Sequence, residues 1–574
     1  MTPERILLIG LDGMTFDIMK PLAEQGIMPT CHDLMQRGSW GVLRSTIPPL
    51  TGPAWTSFYT GKMPGNHGLF DFFKPSAVDN AVGIGRRLIN SREVDGRALW
   101  HVLSDHDKTS LVLNVPVTYP PSKIKGAMFT GMLTPSVQGN LTYPEGLYPK
   151  YQPELGDYTI TINWQSYSEH DAHRFVQDLI HCQHQRTRYT ARLMDDWPDW
   201  NLCFPCFTET DRIQHALWHY IDPVEIEKLK QEGRYDESVR ELVLEFYRQC
   251  DEDIRVLIEK AGGTDNVPVF FVSDHGFGPL RGKVMMNHFF AQQGLLAAKQ
   301  AKVRQAILMI LWRKAYQKAL KSVGLLKWYK ARQARAVTTR VSGAAKTIYD
   351  IFYESIDWNR TKVYLGSNTE GALYMNVKGR GLYGDVDPGI IEPEDYLTVR
   401  AEIINALKSI RHPDTGKPML TYVGTREEAY PGKYCDIAPD IVFFFDDGAW
   451  LGDFQLGKGA FKPSDWKTGS GTHRLDGCFL ACGPGIAQNR GGINTEIWNV
   501  TPTLLGYMGL PVPAEMDGKF IGDAFTDEWK AAHPVQYLEP GEDSGAGEVS
   551  GADVFDADDQ EVLVDRLRGL GYLD

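Results

Sequence analysis

A mostly parallel α/β sheet, covered by helices on both faces, is the fold this sequence predicts, and two observations predict it. Apolar runs of strand length recur along the chain, at Arg5 to Gly13, Thr109 to Tyr119, Trp200 to Thr208, Val267 to Ser273, Asp440 to Asp446 and Cys478 to Cys482. They are near-continuous rather than alternating, which is the pattern of strands buried on both faces. Between them lie stretches of helical period, among them His170 to Asp196 and Asp236 to Ala261. Strands alternating with helices build a three-layer αβα sandwich. No fixed-period repeat interrupts the pattern.

The first strand is entered almost at once, in MTPERILLIGLDG, with no charged segment leading into a signal-peptide core. No apolar run reaches bilayer-spanning length, and the expected location is cytoplasmic. Eight Cys in 574 residues are too sparse for a disulfide scaffold and fit a reducing compartment. Cys203 and Cys206 form a CxxC, but inside the apolar run LCFPCF, where burial explains them better than redox chemistry. The net charge of −13 excludes a general polyanion-binding surface and predicts no specific nucleic-acid partner.

Residues 1–290 and 347–530 read as the catalytic domain. An insertion at 291–346 departs from it. From Lys299 to Lys346 the chain carries thirteen Lys or Arg and no Asp or Glu, with Ile307, Leu311, Trp312, Leu320 and Trp328 among apolar residues at helical spacing. Three readings stay open: a helical hairpin with a solvated face, a lid that steers phosphorylated substrates, or a surface that meets an anionic membrane or lipid-like substrate. Residues 531–574 read as an acidic, glycine-rich linker, GEDSGAGEVSGADVFDADDQE, followed by a short helix from Gln560 to Leu573.

The chemistry-bearing residues stand at strand ends, where open parallel sheets collect their functional groups. Asp12 closes the first strand in LLIGLDG. Asp211 and His215, in FTETDRIQHALWH, are spaced i, i+4 and share a helix face. Asp274 and His275 follow VPVFFVS, and His473 sits in the Gly- and Ser-rich loop KTGSGTHRLDG. Taken singly, each has a plain alternative as a cap, a turn tip or a solvated helix start. Taken together, three carboxylates and three imidazoles at one sheet edge would repel one another unless divalent cations held them. Mixed Asp and His ligation suits zinc first, with manganese or iron as alternatives.

PPLTGPAWTSFYTG, Pro48 to Gly61, places Thr51 ahead of Pro53 at a helix start. Thr51 is either a capping hydroxyl or a nucleophile at the positive end of the helix.

The ordered set of LIGLDG, the Thr-x-Pro segment ending YTG with PGNHG after it, the DxxxH of Asp211 and His215, SDHG and GTHR resembles the type I phosphodiesterase and nucleotide pyrophosphatase branch of the alkaline phosphatase superfamily, from Ile6 to about Ile521. The resemblance implies two divalent metals. One is held by Asp211, His215 and His473, the other by Asp12, Asp274 and His275 with the Thr51 oxygen. It implies Thr51 as the nucleophile and a phosphothreonine intermediate, with a phosphorylated small molecule or lipid-like compound as substrate. Threonine at that position favours phosphorus chemistry over sulfate esters. One departure stands out: the asparagine that contacts a non-bridging oxygen in nucleotide pyrophosphatases falls on Phe72 by ungapped count. Asn66 and Asn287 are the candidate substitutes, and Arg474 the candidate phosphate contact. The implied activity is cleavage of phosphodiester or phosphoanhydride bonds. A phosphomonoesterase or phosphotransferase, a sulfatase or phosphonate hydrolase, and a silent binding module that keeps the fold are the alternatives.

Overall fold

The computed structural model describes residues 3–75, 86–299, 355–366, 371–380, 389–456, 459–466, 468–539 and 554–572. Nine strands form the central sheet, labelled in chain order: β1 (Ile6–Leu11), β2 (Ser39–Arg44), β3 (Ser110–Val115), β4 (Gly126–Thr130), β5 (Thr142–Tyr143), β6 (Leu202–Phe207), β7 (Val269–Val272), β8 (Asp476–Cys482) and β9 (Arg490–Glu496). Their order across the sheet is β9-β2-β8-β7-β1-β6-β3-β4-β5. β1 pairs in parallel with β6 and β7, β3 with β6 and β4, and β2 with β9. Only β8 and the short edge strand β5 run against their neighbours.

The period-2 geometry of a strand sends alternate side chains to opposite faces. Along β1, Leu7, Ile9 and Leu11 enter one core with Phe175, Leu179, Phe246 and Ile254. These last four come from the long helices Ala172–Asp196 and Glu237–Ala261. Ile6 and Leu8 enter the other core, with Trp55 and Phe58 of the helix Thr51–Thr60. The sheet is therefore the middle layer of an αβα sandwich. The same alternation separates the CxxC: Cys203 lies in the first core and Cys206 in the second, so the two thiols face apart. All eight cysteines are free thiols, as the burial reading expects.

One expectation about strands needs correction. Asp440–Asp446 does not join the central sheet. Its strand, Ile441–Phe445, belongs to a separate seven-stranded sheet with Gly282–Met285, Val363–Leu365, Ala372–Met375, Leu420–Thr425, Trp450–Asp453 and Phe461–Pro463. Apolar content marks a buried strand but does not say which sheet buries it. β8 is in the central sheet but antiparallel, and it is entered from the strand Gly471–Arg474, which pairs with Gly276–Pro279 outside that sheet, rather than from a crossover helix.

The 291–346 insertion falls mostly outside the described residues. Leu295 and Leu296, at its start, are buried in the second core. Beyond them Ala298 pairs with Ile356 in an antiparallel bridge, and Lys299 N–H donates to the Ser355 carbonyl at 2.7 Å. The chain therefore leaves and rejoins this domain at one point. The lid and membrane readings of the basic stretch lie outside the described residues. Among the described residues no helix is long and apolar enough to cross a membrane.

Candidate active site

Parallel strands bring their carboxyl ends to one edge of the sheet, and the antiparallel β8 brings its beginning there. Asp12 follows β1, Asp211 and His215 lie on the helix Glu209–Leu217 just after β6, Asp274 and His275 follow β7, and His473 precedes β8. The helix Thr51–Thr60 starts seven residues after β2.

The six acid and imidazole side chains converge. His473 Nε2 lies 3.2 Å and His215 Nε2 3.5 Å from Asp211 Oδ1. His275 Nε2 lies 3.2 Å from Asp274 Oδ2, 3.7 Å from Asp12 Oδ1 and 4.0 Å from Asp211 Oδ1. Two sets of three have ligand atoms mutually within 4.8 Å: Asp211, His215 and His473, and Asp12, Asp211 and His275. The first is the set implied from sequence. In the second, Asp211 takes the place expected of Asp274, which lies against His275.

The tautomers are fixed by the backbone. Nδ1 of His215 faces the Gly471 carbonyl at 3.1 Å, that of His275 the Gly276 carbonyl at 3.1 Å, and that of His473 the Pro49 carbonyl at 2.9 Å. A carbonyl only accepts, so each Nδ1 carries the proton and each Nε2 turns a lone pair into the cluster. His215 Nε2 and His473 Nε2 then face each other at 3.0 Å as two acceptors. Asp12 Oδ1, Asp211 Oδ1 and Asp274 Oδ2 are buried with no hydrogen-bond donor. Burial, with the Asp211 charge beside it, pushes the Asp12 carboxyl up to about 7. Burial and then Asp12 drive Asp274 well above its ordinary range. Burial pushes His215 down to about 3, and burial with the neighbouring His473 takes His275 well down too. Asp211 alone goes the other way: burial raises it, but the Arg212 guanidinium beside it outweighs burial and holds it well below the usual carboxylate range. A wall of inward lone pairs without donors is an arrangement that cations satisfy. Nitrogen and oxygen donors in this mix fit divalent zinc, manganese or iron.

Thr51 is the first residue of its helix, and Leu50, in extended conformation, is the cap. The threonine hydroxyl therefore does no capping. It lies 3.3 Å from His275 Nε2 and 2.8 Å from the Tyr572 hydroxyl. With Nε2 an acceptor, the chain of donors runs from Tyr572 O–H to Thr51 Oγ1 and from Thr51 O–H to His275. Pro53 in the first turn has no N–H to orient, and the Thr51 and Gly52 amides precede the first intrahelical bond, Ala54 N–H to Leu50 O at 2.9 Å. Amides at a helix start attract a phosphoryl oxygen.

Three residues shape the site that the sequence patterns do not single out. Trp55, one helical turn after Thr51, donates its indole N–H to Asp12 Oδ2 at 3.1 Å. Gly10 permits this, since a Cβ there would stand 2.9 Å from the Trp55 ring. Removing that donor with Trp55→Phe is expected to weaken divalent-metal affinity about 10–100-fold, the usual effect of losing a partner that orients a ligand. Metal titration followed by calorimetry checks it. Arg212 is buried beside Asp211, its Nη1 2.8 Å from Asp211 Oδ2, and its Nε has no hydrogen-bond partner. Tyr572 is the third, with its ring centre 5.6 Å from the Arg212 guanidinium. The proximity of Arg212 to a metal-binding Asp is the signal that was available in the sequence. Nothing local signals Tyr572.

The three substrate-contact candidates are committed elsewhere. Asn66 donates to both Asp517 oxygens and accepts from Lys433 N–H. Asn287 is buried against the second sheet, donating to the Leu365 and Phe454 carbonyls and accepting from Leu365 N–H. Arg474 donates to the carbonyls of Gly448, His473 and Pro279. All three staple backbone in the structure. Phe72, at the asparagine position, packs edge-on against Tyr572 with ring centres 4.7 Å apart.

The family model described as type I phosphodiesterase / nucleotide pyrophosphatase matches residues 6–473. No curated protein matches the sequence significantly. Among solved structures, phosphonoacetate hydrolase from Sinorhizobium meliloti 1021 in complex with phosphonoacetate shares 12% identity, with a TM-score of 0.51 over 87% of this chain and 94% of that one. Murine ectonucleotide pyrophosphatase / phosphodiesterase 5, an inactive form in complex with AMP, shares 13% identity, with a TM-score of 0.49 over 91% of this chain and 100% of that one. The likeness to phosphonoacetate hydrolase agrees with the layered fold. With the family match spanning most of its length, the chain belongs to the type I phosphodiesterase / nucleotide pyrophosphatase family.

Proposed function

We propose that the protein is a two-metal phosphohydrolase that cleaves phosphodiester or phosphoanhydride bonds through a phosphothreonine at Thr51. The observation that carries this reading is a buried threonine hydroxyl, spared from capping, 3.3 Å from one imidazole of the Asp/His cluster. When bound, a pair of divalent cations supplies positive charge that lowers the hydroxyl's pKa and offsets charge on the entering and leaving oxygens. Asp211, His215 and His473 are the residues to hold one cation, and Asp12, His275 and the shared Asp211, with Asp274 beside them, the other. Zinc is the first candidate, manganese and iron the alternatives.

The chain's own residues do the rest. The helix start points its first amides at the phosphoryl oxygens. Thr51 Oγ1 attacks phosphorus, forming the Oγ–P bond as the bond to the leaving oxygen breaks, and the threonine proton is lost to the medium or to the leaving group. Water then cleaves the phosphothreonine and returns the hydroxyl. Arg212 offers a buried guanidinium to a non-bridging oxygen. That role passes to it because Arg474 is bound to carbonyls.

Arg212 also supports a second reading, a phosphomonoesterase or phosphotransferase, since a buried guanidinium suits the extra charge of a monoester dianion. Arg212→Ala is expected to lower kcat/KM by about 10²–10³-fold, the scale of one buried donor to a developing oxyanion, with metal content unchanged. Turnover of an aryl diester and an aryl monoester, with product analysis, separates the readings. A native preference for monoester that collapses in Arg212→Ala favours the second. Absence of phosphothreonine on Thr51 in rapidly quenched enzyme would remove the covalent step.

A further inference from the structure

The Thr51 hydroxyl is not open to substrate. Thr51, Asp12, Asp211, Asp274 and His275 are fully buried, and the Tyr572 hydroxyl lies 2.8 Å from Thr51 Oγ1. The helix Ala557–Gly569, capped by Asp556, lays Leu563, Val564 and Leu567 into the second core. Phe555, just before it, stacks on Tyr119 with ring planes 10° apart. Arg566 donates to the carbonyls of Thr134 and Pro135. Trp164 donates its indole N–H to the Leu570 carbonyl at 3.1 Å. Gly571, at φ +86°, then turns the chain inward, a conformation that disfavours any side chain. Tyr572 enters the site, with its ring against Phe72 and beneath Arg212 and its hydroxyl on Thr51 Oγ1 at 2.8 Å.

A threonine oxygen has few directions. One leads to its Cβ, and one faces the His275 side, where the cluster lies. Tyr572 takes another at 2.8 Å, and the complete burial of Thr51 leaves no open approach beside it, yet in-line attack needs phosphorus about 3–3.5 Å from that oxygen. A phosphoryl group and the phenol are thus competitors for the same place and for the same guanidinium. We infer that the segment Phe555–Tyr572 is an intramolecular plug: it occupies the phosphoryl subsite, and the enzyme turns over when the segment withdraws. The inference rests on Thr51 being the nucleophile. The segment is a docked element held by side chains remote from the chemistry, so substitutions there can shift the balance between docked and withdrawn states without touching the cluster.

The test compares the full chain with Tyr572→Ala and with Arg566→Ala, each loaded with zinc. Thr51→Ala serves as the blank, and kcat/KM is measured for bis(p-nitrophenyl) phosphate. Both variants are expected to rise at least about five-fold at unchanged metal content, the low end of a typical coupling between states. Arg566→Ala separates release of the plug from any loss of the phenol itself. An unchanged or lower kcat/KM in both, with Thr51-dependent turnover intact in the full chain, would overturn the plug while leaving the phosphohydrolase reading in place. If no form shows Thr51-dependent turnover, the phosphohydrolase reading fails, and orthovanadate binding decides the plug separately. Tighter vanadate binding by the two variants, with faster hydrogen exchange over residues 557–572 when vanadate is added to the full chain, supports it. Equal binding and unchanged exchange would overturn it.

Discussion

Thr51→Ala is expected to abolish turnover of phosphate esters, by about 10⁴-fold or more, while leaving the metals bound. The magnitude is that of losing a covalent nucleophile, after which only positioning and electrostatics remain. Three features of the structure make this the sharpest substitution. The hydroxyl does no capping, because Leu50 is the cap, so its removal does not unravel the helix. The residue is wholly buried, and one small polar group is lost against a packed helix all of whose residues are buried. Of the six acid and imidazole groups only His275 loses a contact, and its Nδ1 stays on the Gly276 carbonyl. Thr51→Ser should retain a hydroxyl at nearly the same place and recover much of the activity. Steady-state kinetics with metal analysis of the same preparations checks the pair. A Thr51→Ala enzyme within ten-fold of the native rate would end the nucleophile assignment, whatever else the cluster does.

Asp211 is expected to be the most damaging position for metal binding. It is common to both sets of convergent ligand atoms, and its Oδ1, the oxygen that faces the imidazoles, has no hydrogen-bond donor. Asp211→Asn keeps the shape but removes the charge that faces three imidazoles and balances Arg212. Loss of both metals and at least about a 10³-fold fall in kcat/KM are the expected result. His215→Ala, on one set only, should lose one metal equivalent and keep the other, and Asp12→Asn should do the converse. The comparison is informative because it predicts a stoichiometry: about two equivalents in the native chain, about one in each single-set variant and none in Asp211→Asn. Some destabilisation accompanies Asp211→Asn, since it leaves the Arg212 guanidinium buried without its carboxylate, at a cost of roughly 3–5 kcal/mol when such pairs are broken. Circular dichroism separates an unfolded variant from a folded, metal-free one. Equal metal content in Asp211→Asn and the native chain would contradict the shared-ligand geometry.

The site was legible in sequence where the chemistry follows from local geometry. Asp12, Asp274 and His275 could be placed because they terminate buried parallel strands, and Asp211 with His215 because i, i+4 residues share a helix face. The layered fold was legible for the same reason: β1, β6 and β7 are continuous apolar runs. What depended on remote partners was not legible. Asn66 looks available until Asp517 and Lys433 fold against it, and Asn287 until Leu365 and Phe454 do. Arg474 follows a ligand directly, yet its guanidinium turns to carbonyls across the loop. Arg212 follows another ligand, and its burial depends on packing from elsewhere, including the ring of Tyr572. The strand at Ile441–Phe445 has the composition of a central strand, and only its pairing with Leu420–Thr425 and Ala372–Met375 assigns it to the second sheet.

The most direct test of the account is anomalous diffraction at the zinc and manganese edges from crystals of the full chain grown with each metal. Two peaks are expected beside the Thr51 hydroxyl, about 3.5–4 Å apart, one among Asp211, His215 and His473 and one among Asp12, Asp211 and His275 with Asp274 beside it. A cluster that stays free of metal at saturating concentration, or peaks bound by other residues, would contradict it.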